Sequence, residues 1–369
     1  MNRLSISIPI PIPIPIMALG LAVLGLAIAC PEAEHDHRPE VLTNVGLTVL
    51  ADLDEARGDA AALRDALSGL CASPDQAGLD GAQQAWLELR APWKRLLALP
   101  FGPIVDQGFD SAIDFWPARP TSIEGALASG ASDQADLDAL GVASKGMPAI
   151  EYFLWDPIGG DAATLALFTA GEGPQRCAHV ELLAADVELR LSELDAAWRG
   201  AEGFADQLAR AGESETFPTR ALAIDKLLNA MIAGLHDIDD PKLAKPLGAA
   251  LGEPQPDLVE SRFSDRSLLD ARDALAGFAQ AYLGSDEAPG LTLVVAGESA
   301  SVDQRVRDAL AAAEQALADV PEPLRTAIVD APDRVAAAEQ AVQALRMVLS
   351  AEVASLLGVT VSLSDNDGD

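Results

Sequence analysis

The strongest constraint on the fold is the spacing of apolar residues, which recur every three or four positions through most of the chain. This period places apolar side chains along one face of an α-helix. The only short run with strand-like character is Leu291–Val295. We therefore predict an all-α protein whose helices bury one face each in bundles. The four clearest stripes are Leu79, Ala82, Trp86, Leu89, Trp93 and Leu96; Val180, Leu183, Val187, Leu191, Leu194 and Trp198; Leu268, Ala271, Leu275, Phe278 and Tyr282; and Val335, Ala338, Val342, Leu345, Leu349, Val353 and Leu356.

The number of helical segments favours two bundles over one. A stretch rich in Gly, Glu and Ser, residues 201–217, is the best candidate for a linker between them. We predict a first bundle over 41–200 and a second over 218–369. The similar layout of the halves also permits an internal duplication, although no residue-level repeat is visible.

The charge balance excludes one class of partner. Asp and Glu number 57 against 25 Lys and Arg, which gives a formal net charge of −32. Such a chain would repel phosphate backbones, so we expect no nucleic-acid partner. Hydrophobic residues make up 49% of the chain, which is enough to build a core and disfavours disorder.

The amino terminus is predicted to be an export signal, residues 1–29. An apolar segment, Met17–Ala29, ends in small residues directly before Cys30, a pattern that resembles the lipobox of bacterial lipoproteins. Cleavage there would leave Cys30 to carry a lipid that anchors the protein in the membrane, with 30–40 as a tether. The alternative is an ordinary secretory signal with an accidental Cys. Pro31 gives no inner-membrane retention signal, so we expect a cell-envelope protein on the periplasmic face of the outer membrane.

Two cysteines remain after Cys30 is assigned to the lipid. In an exported and oxidising compartment, Cys71 and Cys177 suggest one disulfide. Two separate buried thiols are the alternative.

Irregular residues interrupt the helical pattern at three places in the first half. In the first, Trp86 and Arg90 share a helical face and Trp93 lies one turn further on. Arg90 would stack on an indole or pair with a carboxylate, and the alternative is a surface position beside two core tryptophans. In the second, Asp110 and Asp114 are also four residues apart, just before Trp116. Two such carboxylates repel each other unless a cation joins them, and the alternative is a helix end with solvated acids.

The third cluster surrounds Glu151. Pro148 suits the first turn of a helix, and Glu151 would then lie in that same turn, where the helix dipole favours an acid. The functional alternative is a buried carboxylate that binds a metal or hydrogen-bonds a ligand, flanked by Lys145 and Tyr152.

Taken together, these segments resemble the imelysin family of periplasmic iron-regulated lipoproteins and insulin-cleaving membrane proteases. Their order along the chain carries the resemblance, which implies an all-α fold of two four-helix-bundle-like domains with a site between them. The similar segments are Trp86, Trp93 and Phe101-Gly102-Pro103; Ile113-Asp114-Phe115-Trp116-Pro117; Gly146 with Glu151-Tyr152; Arg176-Cys177; Pro246-Leu247-Gly248; Glu260-Ser261-Arg262-Phe263-Ser264; and Leu357-Gly358-Val359 with the acidic tail.

One departure from the family affects the predicted chemistry. The family signature Gly-x-His-x-x-Glu has Pro148 here in place of His, and Pro offers no metal ligand. The leading hypothesis is therefore a non-enzymatic envelope lipoprotein that binds a metal or metal-linked ligand, together with partner proteins of iron uptake. The alternatives are a metallopeptidase with Glu151 as catalytic base and a scaffold that binds polysaccharide or protein.

The residues assigned to these roles come from the three irregular clusters. A hard cation, iron or calcium, is the expected cofactor because oxygen ligands suit such ions. The tail Asp365–Asp369 also resembles the start of a calcium loop. The metal candidates are Glu151, Asp110 and Asp114, and the ligand-binding candidates are Trp86, Arg90, Trp93, Asp114, Trp116, Lys145 and Tyr152.

Overall fold

The computed structural model describes residues 7, 9, 11, 35–248, 250, 252–285 and 288–362. The chain divides into two units, Met1–His35 and Asp36–Asp369. The predicted signal peptide, the lipidation site Cys30 and the tail Asp365–Asp369 lie outside the described residues.

The second unit is built from helices, joined by short loops. Two 3-10 turns, Val142–Ser144 and Pro256–Leu258, and two π-helical segments, Ile238–Ala244 and Val348–Val353, complete the helical content. The α-helices are α1 (Arg38–Ala72), α2 (Gln76–Leu97), α3 (Pro103–Asp106), α4 (Phe109–Asp114), α5 (Pro120–Ser129), α6 (Gln134–Asp138), α7 (Gly146–Leu154), α8 (Gly160–Thr169), α9 (Gly173–Trp198), α10 (Phe204–Ala209), α11 (Arg220–Asp237), α12 (Lys245–Leu247), α13 (Ser267–Leu283), α14 (Thr292–Glu298), α15 (Ala300–Ala318), α16 (Leu324–Asp330), α17 (Pro332–Met347) and α18 (Ala354–Leu357).

The all-α prediction is confirmed. Three of the four predicted stripes are buried along their whole length, on α2, α9 and α13, and the fourth is buried along α17 and the π-helical segment after it, up to Val353. The strand-like run Leu291–Val295 is wrong as a strand prediction, because the structure places Thr292–Glu298 in helix α14. A short apolar run has no periodicity long enough to separate a strand from a buried helical segment.

Helix α2 connects the two predicted halves of the chain. It packs against α1 and α7, which belong to the first predicted half, and against α13, which belongs to the second. The predicted linker 201–217 contains α10, which packs on α1. The tether 30–40 overlaps the start of α1 at Arg38. The domain boundaries and the duplication stay predictions.

A π-helical segment follows α11 and continues into α12. Pro241 lies inside it and has no N–H to donate, so regular α-helical hydrogen bonding is interrupted there. Short π segments of this kind occur frequently at functional sites. Here the segment carries several charged residues toward the site described below.

Cys71 at the end of α1 and Cys177 in α9 are bonded to each other, with their Cα atoms 5.5 Å apart. The two cysteines are 106 residues apart in the sequence, so the disulfide links α1 to α9. Among the described helices, we find none that combines the length and the apolar character needed to span a membrane.

Candidate functional site

A network of buried charges surrounds Arg90 in the middle of α2. The Arg90 guanidinium donates to Asp114 Oδ1 at 2.6 Å and to Asp270 Oδ2 at 2.6 Å, and it lies 5.2 Å from the centre of the Trp86 ring. Arg90 is 1% exposed. The surface alternative for Arg90 is therefore wrong, and the residue both stacks on an indole and pairs with carboxylates.

One helical turn further along α2, Lys94 extends this network. Its Nζ donates to Asp114 Oδ2 at 2.6 Å and to Glu260. Trp93 Nε1 donates to the same Asp114 oxygen at 3.0 Å. Glu260 in turn lies near Lys242 of the π segment, with an O–N distance of 3.6 Å. Elements from both predicted halves of the chain thus share one set of ion pairs.

Neighbouring cations keep two buried carboxylates of this network ionised. Burial opposes ionisation of Asp270, but the charges of Arg90, Lys94 and Arg266 hold its pKa well below the ordinary value. Burial likewise opposes ionisation of Asp114, and Arg90 and Lys94 lower its pKa. Both carboxylates are charged at neutral pH, and each already pairs with two cationic side chains.

Glu151 lies on α7, which begins earlier than the sequence predicts. Gly146 has a positive φ of 74°, and a Cβ there would lie 2.4 Å from the carbonyl oxygen of Ile113, so only Gly allows α7 to approach α4 so closely. The helix begins at Gly146, two residues before Pro148. Glu151 therefore lies in the second turn, and the first-turn interpretation is wrong.

Glu151 is buried and fixed by the loop that precedes α13. Its Oε1 accepts hydrogen bonds from the backbone N–H of Phe263 at 3.0 Å, and from the N–H and Oγ of Ser264 at 2.8 Å each. Burial raises the pKa of Glu151 to about 7, although these hydrogen bonds act in the opposite direction. Glu151 is consequently an acid that exchanges its proton near neutral pH.

A small cavity separates Glu151 from the ion network. Its volume is about 10 Å³, which is close to the minimum for one water molecule. Several residues predicted from the sequence meet here. Its lining includes Trp86, Arg90, Asp114, Trp116, Pro148, Glu151, Glu260 and Ser261.

A much larger cleft of about 400 Å³ opens on the other side of Asp114. Asp110 lines this cleft, and burial raises its pKa. Within the part of the chain that the structure describes, Asp110 belongs to no ion pair, whereas Asp114 is neutralised by Arg90 and Lys94. The cleft is lined by Lys94, Leu97, Pro100, Asp110, Ser111, Asp114, Phe115, Trp116, Ala233, His236, Asp237, Asp240, Pro241, Lys242 and Lys245.

His236 faces this cleft at the end of α11. Its Nδ1 lies 3.2 Å from Asp239 Oδ1, and the buried Asp239 also accepts from Arg346 Nε at 2.6 Å. A carboxylate on one ring nitrogen fixes the orientation of a histidine, an arrangement typical of metal-binding imidazoles. The exposed fraction of the His236 side chain is 50%, so the ring is accessible from solvent.

Three predicted ligand-binding residues line neither cavity: Trp93, Lys145 and Tyr152. Lys145 is buried, and its Nζ donates to the carbonyl oxygen of Leu137 at 3.4 Å. Tyr152 donates to Glu124 Oε1 at 2.8 Å and lines a separate pocket. Among the described residues, Glu151, Asp110 and Asp114 do not form a group with ligand atoms within 4.8 Å of one another.

Sequence reasoning missed several residues of the site. Lys94 and Asp270 lie on helices whose apolar stripes are regular, so their burial has no signal in the local pattern. Lys242 follows Pro241 in the π-helical segment, where no apolar stripe predicts which side chains are buried. His236 offered a signal in the acidic run that follows it, Asp237, Asp239 and Asp240, which ends at Pro241.

The fold is helical, with a buried ion network between its helices and an open cleft beside it. Comparison with known proteins identifies the class to which this fold belongs. Residues 49–351 match the family model described as Imelysin. The match covers most of the chain, which therefore belongs to the imelysin family.

The relatives found agree with this assignment. The chain is 27% identical over 305 residues to iron-regulated protein A of Synechococcus elongatus, with 80% of each chain covered. A crystal structure from Parabacteroides distasonis, described as an iron-regulated protein A precursor, has a TM-score of 0.75 at 18% identity, covering 89% of this chain and 96% of that one. An imelysin-like protein from Psychrobacter arcticum has a TM-score of 0.70 at 17% identity, covering 89% and 98%. These two structures share the fold.

Proposed function

We propose that this protein is a non-enzymatic envelope lipoprotein that binds an iron-containing ligand in the 400 Å³ cleft, as part of iron acquisition. The observation that carries the proposal is the pairing of an accessible, oriented His236 with the unpaired carboxylate of Asp110 in one cleft. Imidazole and carboxylate are both suitable ligands for iron. The name of the Synechococcus relative, iron-regulated protein A, supports the choice of metal.

The charges of the cleft favour a chelated metal over a bare ion. Asp237 pairs with Lys242, and Asp240 pairs with Lys245 at 3.3 Å, so most of the carboxylates are already neutralised. A bare hard cation needs about six oxygen ligands, whereas a chelate brings most of its own. The cleft is also far larger than an ion requires.

The proposal includes export and anchoring. The lipobox-like segment before Cys30 supports attachment to the membrane through a lipid, which would hold the cleft near the envelope surface. Proteins of iron uptake would then be the partners that deliver or receive the ligand.

The metallopeptidase alternative has one supporting observation, the pKa of Glu151 of about 7, which suits a general base. Against it, the cavity beside Glu151 is about the size of one water molecule, and Pro148 supplies no ligand. We expect no cleavage of an unstructured polypeptide by the intact protein, measured by gel electrophoresis. Cleavage that is lost both with a chelator and in Glu151→Gln would instead establish the peptidase.

The cleft proposal predicts the effect of removing its two accessible donors. Calorimetric titration of the intact protein with ferric citrate should show binding, while iron-free citrate should bind far more weakly. The variant Asp110→Asn combined with His236→Ala should lower the affinity at least about tenfold, or about 1.4 kcal/mol, because two metal ligands are lost. The matched variant Asp330→Asn, an exposed acid on α16, should bind like the wild type. Equal affinity in all three proteins would contradict the proposal.

A further inference from the structure

A separate pocket of about 170 Å³ lies behind the loop that holds Glu151. Three half-buried aromatic side chains line it: Tyr152, Trp155 and Phe263. Pockets for drug-sized ligands have volumes of roughly 300–1,000 Å³, so this pocket suits a ligand of about one ring. It shares no lining residue with the cleft described above.

Contacts among the rings hold these walls in position. Tyr152 meets Phe153 and Phe263 edge to face, with both pairs of ring centres 5.5 Å apart. Trp155 packs edge to face on Trp86 at 5.1 Å. The backbone N–H of Phe263 donates to the buried Glu151, which anchors that wall from behind. The pocket is thus preformed rather than assembled by a ligand.

Polar groups at fixed positions complement the aromatic walls. Arg176 lines the pocket with its guanidinium 5.0 Å from the centre of the Phe153 ring, and its nearest charge is Glu124 at 3.5 Å. Asp156 also lines the pocket, and its Oδ1 accepts from the backbone N–H groups of Ile158 at 2.9 Å and Gly159 at 2.7 Å. The pocket therefore offers strong donors and a fixed acceptor carboxylate.

The charge around the pocket selects the class of ligand. The charged side chains of the lining are one guanidinium, Arg176, and one carboxylate, Asp156, and Arg176 is already paired with Glu124 at 3.5 Å. A carboxylate ligand would have to displace Glu124 from Arg176 and would meet the Asp156 carboxylate, so an anionic ligand is disfavoured, although an aromatic slot with an arginine would otherwise suit an aromatic acid. A neutral ligand with an apolar face and several hydroxyl groups fits better.

We infer that this pocket binds one neutral pyranose unit of a glycan. The C–H face of a pyranose packs on aromatic faces, which carry the negative part of the ring quadrupole. Its hydroxyl groups donate to the Asp156 carboxylate and accept from Arg176. Leu167 lines the pocket and is 43% exposed, so the pocket opens to solvent beside an apolar side chain and a longer chain can continue outward from the bound unit. This inference does not depend on the cleft or on iron.

Titration calorimetry of the intact protein tests the inference. The probes are methyl β-glucopyranoside, cellobiose, chitobiose and sodium benzoate, so that plain and N-acetylated sugars are distinguished from each other and from an aromatic acid. We expect at least one sugar to bind with a dissociation constant on the order of 1 mM. The stronger of cellobiose and chitobiose identifies the source of the glycan. No binding by any sugar, or tighter binding of benzoate, would overturn the inference.

Two variants locate the binding. Asp156→Asn keeps an oxygen for the loop amides but loses the charged acceptor, so the sugar affinity should fall about tenfold. Leu167→Trp should fill the pocket from its exposed rim and abolish binding, whereas Leu189→Trp, at a similarly exposed position (39%) on α9, should not. Unchanged binding in both pocket variants would show that the sugar binds elsewhere and would contradict the assignment.

Discussion

Replacement of Asp270 by Ala is expected to remove about 3–5 kcal/mol from the free energy of unfolding at pH 7. Asp270 is fully buried and accepts hydrogen bonds from Arg90, Arg266 and Ser261. Its removal leaves two guanidinium groups near one another without their shared counter-charge in a dry interior. The resulting loss of stability greatly exceeds the contribution of an exposed ion pair. Urea unfolding followed by circular dichroism measures it.

A neighbouring residue gives a matched control. Asp273 lies one turn further along α13 and pairs with the same Arg266 at 2.8 Å, but it is partly exposed. Asp273→Ala should therefore cost less than about 1 kcal/mol. A similar, small loss in both variants would mean that the buried network contributes little beyond ordinary surface ion pairs.

The second large effect is the pH dependence of the free energy of unfolding that Glu151 causes. Its folded-state pKa of about 7 lies above the ordinary value of 4.5, so the native protein binds this proton more tightly than the unfolded chain. The resulting stabilisation is fully present below about pH 4.5 and is lost as the pH rises through about 7. Because each pKa unit corresponds to about 1.4 kcal/mol, the loss approaches about 3 kcal/mol.

Glu151→Gln should remove this dependence. Glutamine keeps an oxygen for the donors of Phe263 and Ser264 but never becomes charged, so it mimics the protonated acid. Urea unfolding between pH 5 and pH 8 should show the variant gaining on the wild type by about 3 kcal/mol. Glu314→Gln, at an exposed position on α15, should follow the wild-type curve. Parallel curves for the wild type and Glu151→Gln would place the folded-state pKa of Glu151 near 4.5 and contradict this account.

The sequence predicts the helices well because their signal is local. The stripe on α2 places Trp86, Arg90 and Trp93 on one face, but that spacing leaves open whether Arg90 meets an indole or lies on the surface. The start of α7 was less predictable, since the close approach of Gly146 to Ile113 depends on the packing of α4.

The candidate site was predictable only in part, because its charges come from distant segments. Asp114 and Glu151 stand in irregular stretches and could be singled out. Glu260 and Asp270, by contrast, meet Lys94 and Arg90 across more than 160 residues of sequence. No local pattern encodes such pairings, and composition shows only that acids are abundant.

The most direct test of the proposed function is an anomalous difference map at the iron absorption edge, from crystals of the intact protein soaked in ferric citrate. The account predicts a peak in the cleft, within ligand distance of His236 or Asp110. It also predicts that the peak disappears in crystals of the combined Asp110→Asn and His236→Ala variant. A peak confined to any other part of the protein, or no peak although iron binds in solution, would contradict it.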